Sequence, residues 1–172
     1  MAFKQAGTLS PFGGPVLRSD IIANSTTRTE LDSVKISSGF VAAGTAGALV
    51  YGHVMALVTN NGIGLNTTGA AGAAIGSFVN AYTVASNNQT VAKVRAVSDI
   101  SKETIYSVDP DATIGTTTGS NLLGYFTDIA SATQTDEDTA AATTCQYGIL
   151  GVDPLVSANQ LVHIFESQVF GV

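Results

Sequence analysis

Two short carboxylate groups, Asp109-Pro110-Asp111 and Asp136-Glu137-Asp138, are where this chain could gather oxygens around a divalent cation. Ca²⁺ needs six to eight such oxygens from a loop of fixed geometry. Neither group stands in a D-x-D-x-D-G loop or is followed by the distant Glu of that motif, so both read as solvated acidic loops. His53 and His163 each lie in an apolar run. A zinc site would need them to meet across a sheet with a third ligand, and a satisfied core or interface histidine is the favoured reading. Cys145 is the single cysteine, which rules out an internal disulfide and a cysteine-based zinc site, and it reads as a small core residue. No serine sits in a G-x-S-x-G elbow, and no glycines form a phosphate-cradling loop between a strand and a helix. Paired acids for glycoside hydrolysis would leave no local pattern. The expectation is a chain with no catalytic, cofactor-binding or metal residues, and not an enzyme.

The element around which the rest must be organised is residues 41–60, VAAGTAGALVYGHVMALVTN. Val50, Val54 and Val58 fall on one face at period two, and Leu49, Tyr51, Met55 and Leu57 on the other, the pattern of a core strand apolar on both sides. A helix over the same stretch would carry Gly44, Gly47 and Gly52, each costing roughly 1 kcal/mol relative to Ala. Around it, residues 30–36, 77–85, 90–98, 104–108, 121–129, 144–152 and 160–165 read as strands. Asn60-Asn61-Gly62 reads as a hairpin turn. A second hairpin is expected between 77–85 and 90–98, with Lys93 and Arg95 on one face, and a turn at Asp153-Pro154. Residues 64–76 and 113–120, rich in Gly, Ala and Thr, read as loops, as does the acidic stretch 130–144, and 166–172 as an edge strand. Short strands at turn spacing with no convincing helix imply an all-β fold, a compact barrel or sandwich.

Of 172 residues, only 12% are charged, about half the usual share. Ser, Thr, Asn and Gly cover the surface instead, which suits faces occupied by neighbours. The seven basic residues all lie at or before Lys102, with four acidic ones, for a net +3. The other nine acidic residues follow and contribute −9, which together make the net charge of −6. A weakly cationic part that seats on an acidic surface is one reading, and interleaving of the two halves in space is the other. Seven scattered cations do not neutralise a phosphate backbone, so nucleic-acid binding is not expected. No secretion signal and no run of 18 apolar residues is visible, so neither export nor a membrane is expected, and the chain is expected to be made in the cytoplasm.

Residues 1–29 read as an extended N-terminal arm and 30–172 as a single β domain. Gly7, Pro11, Gly13, Gly14 and Pro15 break regular structure, while Phe3, Phe12, Val16, Leu17, Ile21 and Ile22 are scattered apolar anchors. Such an arm needs a groove, on its own domain or on a partner.

The segments Leu122-Leu123-Gly124-Tyr125-Phe126-Thr127-Asp128-Ile129, Asp136-Glu137-Asp138 and Gln146-Tyr147-Gly148-Ile149-Leu150 follow one another as strand, acidic loop and strand. With the basic arm and the Ala-Gly-Thr-Ala-Gly lead into the core strand, this resembles the head decoration proteins of tailed phages, built on a β-tulip-like domain. The missing tryptophan and the long Gly-Ala loop depart from that pattern. The resemblance implies a homotrimer on the capsid surface that cements neighbouring subunits of the major capsid protein, with no cofactor. Under it, Phe3, Lys4, Phe12, Leu17, Arg18, Ile21 and Arg28 would carry capsid contacts, and Val169 and Phe170 contacts between protomers. A tail, fibre or baseplate subunit is the other structural reading, and a β-sandwich binding module a third.

Overall fold

The structure, a computed structural model, describes residues 3–11, 13–59, 81–112, 125–136 and 145–165. Alternating β-branched and aromatic residues form fourteen strands among them. In chain order they are β1 (Lys4–Thr8), β2 (Leu17–Ile21), β3 (Thr27–Thr29), β4 (Ser33–Ser37), β5 (Phe40–Ala43), β6 (Gly52–Val58) and β7 (Ala81–Thr83). After one turn of π-helix (Asn88–Ala92) come β8 (Arg95–Asp99), β9 (Thr104–Val108), β10 (Phe126–Thr127), β11 (Ile129–Ser131), β12 (Gln134–Thr135), β13 (Tyr147–Val152) and β14 (Gln160–Ile164).

They pair into two five-stranded antiparallel sheets, β1-β9-β14-β13-β10 (sheet I) and β2-β8-β6-β4-β5 (sheet II), with two small ribbons, β11-β12 and β3-β7. Over the described residues the fold is all-β and sandwich-like, and neither sheet closes into a complete barrel. Sheet II nevertheless curls until its edges touch: Ile22, just past β2, bridges in parallel to Val41 of β5, and the Ala23 N–H donates to the Val41 carbonyl at 3.0 Å. Ile22, Val34, Val41, Tyr51, Val54, Leu57, Val84, Val94 and Ala96 fill one core. Phe3, Val50, Tyr106, Val108, Ile129, Tyr147, Ile149, Val162 and Ile164 fill the other.

Several expectations change. Residues 41–60 are not one strand: Gly44 leaves the sheet to donate to the Ser33 carbonyl at 2.8 Å, and Gly47 takes φ +70°. Within β6 a bulge between Val54 and Ala56 breaks the alternation, so Val54 and Leu57 share a core although their parity places them on opposite faces. The hairpin between 77–85 and 90–98 does not form over its described residues. β7 pairs with β3, and β8 lies between β2 and β6. The buried Asn88 side chain takes the place of a strand neighbour, donating to the Ile22 and Val94 carbonyls at 2.7 and 3.0 Å and accepting from the Val94 N–H at 2.6 Å. Lys93 then turns through φ 50° and shares no strand face with Arg95. Residues 126–131 split into β10 and β11, and the expected acidic loop contributes β12. The turn at Asn60-Asn61-Gly62, the loops at 64–76 and 113–120, the acids Glu137 and Asp138, and the segment 166–172 lie outside the described residues.

Over its described residues the segment 1–29 is extended, but it is built into the sheets. β1 pairs with β9, β2 with β8 and β3 with β7.

Gly52, at the start of β6, lies hard against the end of the neighbouring strand β8. A Cβ there would overlap the Asp99 carbonyl and sit 3.2 Å from Ile100 Cγ2. Gly52→Ala is expected to lose about 2–3 kcal/mol in denaturant unfolding. An unchanged midpoint would mean that β6 and β8 separate freely at this point.

Candidate interaction surface

The residues singled out in the sequence divide sharply by burial. Phe3 is completely buried, stacked on Tyr147 with ring centroids 5.1 Å apart and tilted against His53 at 4.6 Å, so it is a core residue and not a docking side chain. Arg28 is buried too. Its guanidinium lies 3.9 Å from Asp32, and burial pulls its pKa down while the Asp32 charge raises it. Burial likewise pushes the Asp32 carboxyl up, against the Thr29 N–H and Arg28, so the pair braces the turn after β3. Ile21 is half-buried. Lys4, Leu17 and Arg18 are exposed. Phe12, Val169 and Phe170 lie outside the described residues.

What the fold raises to the surface are residues 9–11 and 13–18. Leu9, Val16 and Leu17 are exposed at 47%, 54% and 58%, beside exposed Pro11 and Pro15. This surface is clasped to residues 100–103, which carry the chain from sheet II to sheet I. The Leu9 N–H donates to the Glu103 carbonyl at 2.8 Å, and the Ile100 N–H to the Val16 carbonyl at 2.8 Å. Gly13 packs against the Glu103 carboxylate, which a larger residue would have to push aside. Arg18 pairs with Asp20 at 3.2 Å and lies 6.0 Å above the Tyr51 ring, whose hydroxyl donates to Asp20. An exposed pair of this kind contributes little stability, so Arg18 can exchange Asp20 for an acid on a partner at little cost.

Beneath this surface, a polar seam joins the two sheets. Asp99, fully buried, accepts four hydrogen bonds. The N–H groups of Val16 and Ser101 donate to Oδ1 at 3.0 and 2.9 Å, and the hydroxyls of Thr104 and Tyr106 to Oδ2 at 2.7 Å each. Beside it, His53 Nε2 lies 2.8 Å from the Tyr147 hydroxyl, itself 2.9 Å from Ser33 Oγ, and the His53 ring is tilted against Tyr106 with centroids 3.9 Å apart. Burial lowers the His53 pKa to about 3 and pushes both tyrosines up, Tyr106 with help from Asp99. The imidazole is therefore neutral at pH 7. Nδ1 has no partner, which favours the tautomer with the proton on Nε2, because an orphaned lone pair costs less than an orphaned N–H. His, Asp, Ser and two Tyr would suit acid–base chemistry, but each is at most 0% exposed, so no reactant reaches them as the chain stands. The seam is structural.

Sequence reading missed this constellation. Ser33, His53, Asp99 and Tyr147 come from four distant segments, and the one local hint was a histidine inside an apolar strand. Among the described residues, no three of His, Cys, Asp and Glu come together as a metal-ligand set. No protein-family model, no curated protein and no solved structure matches the chain.

Proposed function

We propose that this chain is a virion structural protein that binds the outside of a capsid and cements neighbouring subunits of the major capsid protein. The observation that carries the reading is the exposed set Leu9, Val16, Leu17 and Arg18, three apolar side chains and a cation, with Leu9 and Val16 tied by hydrogen bonds to Asp99, Ile100 and Glu103. A preformed surface loses little conformational entropy on docking, and many copies on one shell let modest affinities sum. The cation suits an acidic patch on the shell, and the low charge of the whole chain suits close neighbours. The likeness to tailed-phage decoration proteins supplies the class of partner.

The test is co-sedimentation of the protein with shells assembled from the cognate major capsid protein alone. Saturable binding with a rise in the shell's disruption temperature is expected. Leu17→Asp is expected to weaken it by about 30-fold or more, and Arg18→Glu by a smaller factor that shrinks at high salt. Leu17→Asp should leave the free protein folded, since the side chain is exposed, and Arg18→Glu should lower its melting only slightly, by losing the exposed pair with Asp20. Polymerisation of the protein alone into tubes or fibres would point to a tail subunit, and absence of binding to the shells would overturn the reading.

A further inference from the structure

Among the titratable groups of the polar seam, one has a protonation site with nothing opposite it. The Tyr106 and Tyr147 hydroxyls and both Asp99 oxygens are engaged in hydrogen bonds, whereas Nδ1 of the fully buried His53 has no partner. A second proton on the imidazole goes to that atom, since Nε2 already carries the first. It would place a charged and partnerless N–H in an enclosure without water, at a cost far above that of the same charge in solvent. Water relieves it only if one wall of the enclosure moves.

The walls are held with different firmness. His53 lies in β6 with Ser33 of β4 and Asp99 of β8 as its register partners. Tyr106 stands on β9 and Tyr147 on β13, each with a paired strand on both sides. The other charges on the surrounding elements are Glu30 and the Arg28–Asp32 pair before β4, Asp128 acting on Tyr147, and exposed Lys4 on β1, and none of them offsets the burial of the imidazole. Phe3 is the loose wall. Its ring lies 4.6 Å from the imidazole, and its N–H reaches the Leu31 carbonyl at 3.3 Å. It leads into β1, five residues at the edge of sheet I, which among the described residues pair with β9 alone and slip register between Gln5 and Gly7. No acid on β1 could meet an imidazolium in place.

We infer that His53 is a proton-operated latch on β1: protonation expels Phe3 from the core, and β1 leaves the edge of sheet I while β9 stays paired with β14 and sheet II stays whole. The hinge is the Leu9 N–H bond to the Glu103 carbonyl, just past the end of β1. Release uncovers the outer edge of β9 and the apolar seat between Tyr106 and Tyr147. Burial keeps the closed form unprotonated down to about pH 3, while the open form takes up its proton near pH 6.5. The open fraction therefore rises about tenfold for each pH unit between these values. Global unfolding gains from the same proton, but it must also break the inner strands of both sheets, so β1 opens first.

Amide exchange of the full chain between pH 6 and pH 4, corrected for the intrinsic rate at each pH and repeated in low urea, tests the latch. Amides of the β1–β9 ladder should lose protection about tenfold per pH unit, through an opening that depends weakly on urea because little surface is exposed. Amides of β6 and β8 should stay better protected and exchange through an opening that depends steeply on urea. His53→Gln keeps hydrogen-bonding groups without a titrating one, and should make β1 protection flat across this range. His53→Phe should do the same, and covers the case in which the amide does not fit the seam. Exchange of β1 with the urea dependence of β6 and β8, β1 protection in the wild type that ignores pH, or a pH dependence that survives in a folded His53 variant would each overturn the inference. If neither variant folds, the first two results still decide it.

Discussion

Replacing Asp99 by alanine is expected to cost about 4 kcal/mol or more, a large part of the stability of a domain of this size. Four donors converge on this one carboxylate from the segment before β2, from the 100–103 connection and from β9. Hydrogen bonds to a charged acceptor contribute about 1.5–3 kcal/mol each, and a buried donor stripped of its partner pays its own desolvation. Asp99→Asn should recover part of the loss, because one oxygen still accepts while the amide meets two donors at the other position. Urea unfolding measures both. A loss below about 1 kcal/mol for the alanine variant, small on the scale of buried charged hydrogen bonds, would show that the seam rearranges around the gap. The Asp99→Ala protein should also loosen the Val16 segment, seen as faster amide exchange there, since the Val16 N–H loses its acceptor.

Acidification is the second large effect. His53 takes up a proton near pH 6.5 in the unfolded chain and only near pH 3 in the folded one. The unfolded state therefore binds more protons between these values, and stability falls as pH falls through that window. The contribution is complete above about pH 6.5 and is lost by pH 3, for a total on the order of 5 kcal/mol. His163, lowered by partial burial, acts in the same direction. Asp32 and Glu30, raised by burial, act in the opposite direction, because the folded chain protonates them first. In His53→Phe the slope of stability against pH between 4 and 6 should drop by about 1.4 kcal/mol per unit, the weight of one proton. An unchanged slope would assign the acid sensitivity to other groups.

The parts of the fold legible in the sequence were those in which local pattern and tertiary pairing agree. β9, β13 and β14 fall where 104–108, 144–152 and 160–165 alternate, and Asp153-Pro154 opens the turn between the last two. The rest was decided by partners far along the chain. The glycines and prolines of residues 1–29 argue against regular structure locally, yet strands β8 and β9 offer backbone groups that short extended pieces satisfy. Asn88 falls between the two expected hairpin strands 77–85 and 90–98, and nothing nearby signals that its amide will bond Ile22, 66 positions away. One inserted residue in β6 reversed the facing of Leu57, which no periodicity count can anticipate. Of the candidate docking residues, Leu17 and Arg18 could be named from type alone. The burial of Phe3 and Arg28 emerges only from packing.

The place of β14 between β9 and β13 bears on how the chain is made. Sheet II has all its strands once Asp99 has left the ribosome. Sheet I lacks an inner strand until Ile164 has emerged, so β1, β9 and β13 wait without their central partner. At ordinary rates of synthesis that wait lasts on the order of several seconds. During it the nascent chain is half a sandwich, with Tyr106, Val108 and Ile149 uncovered, and truncation anywhere before β14 would release a product that cannot bury them.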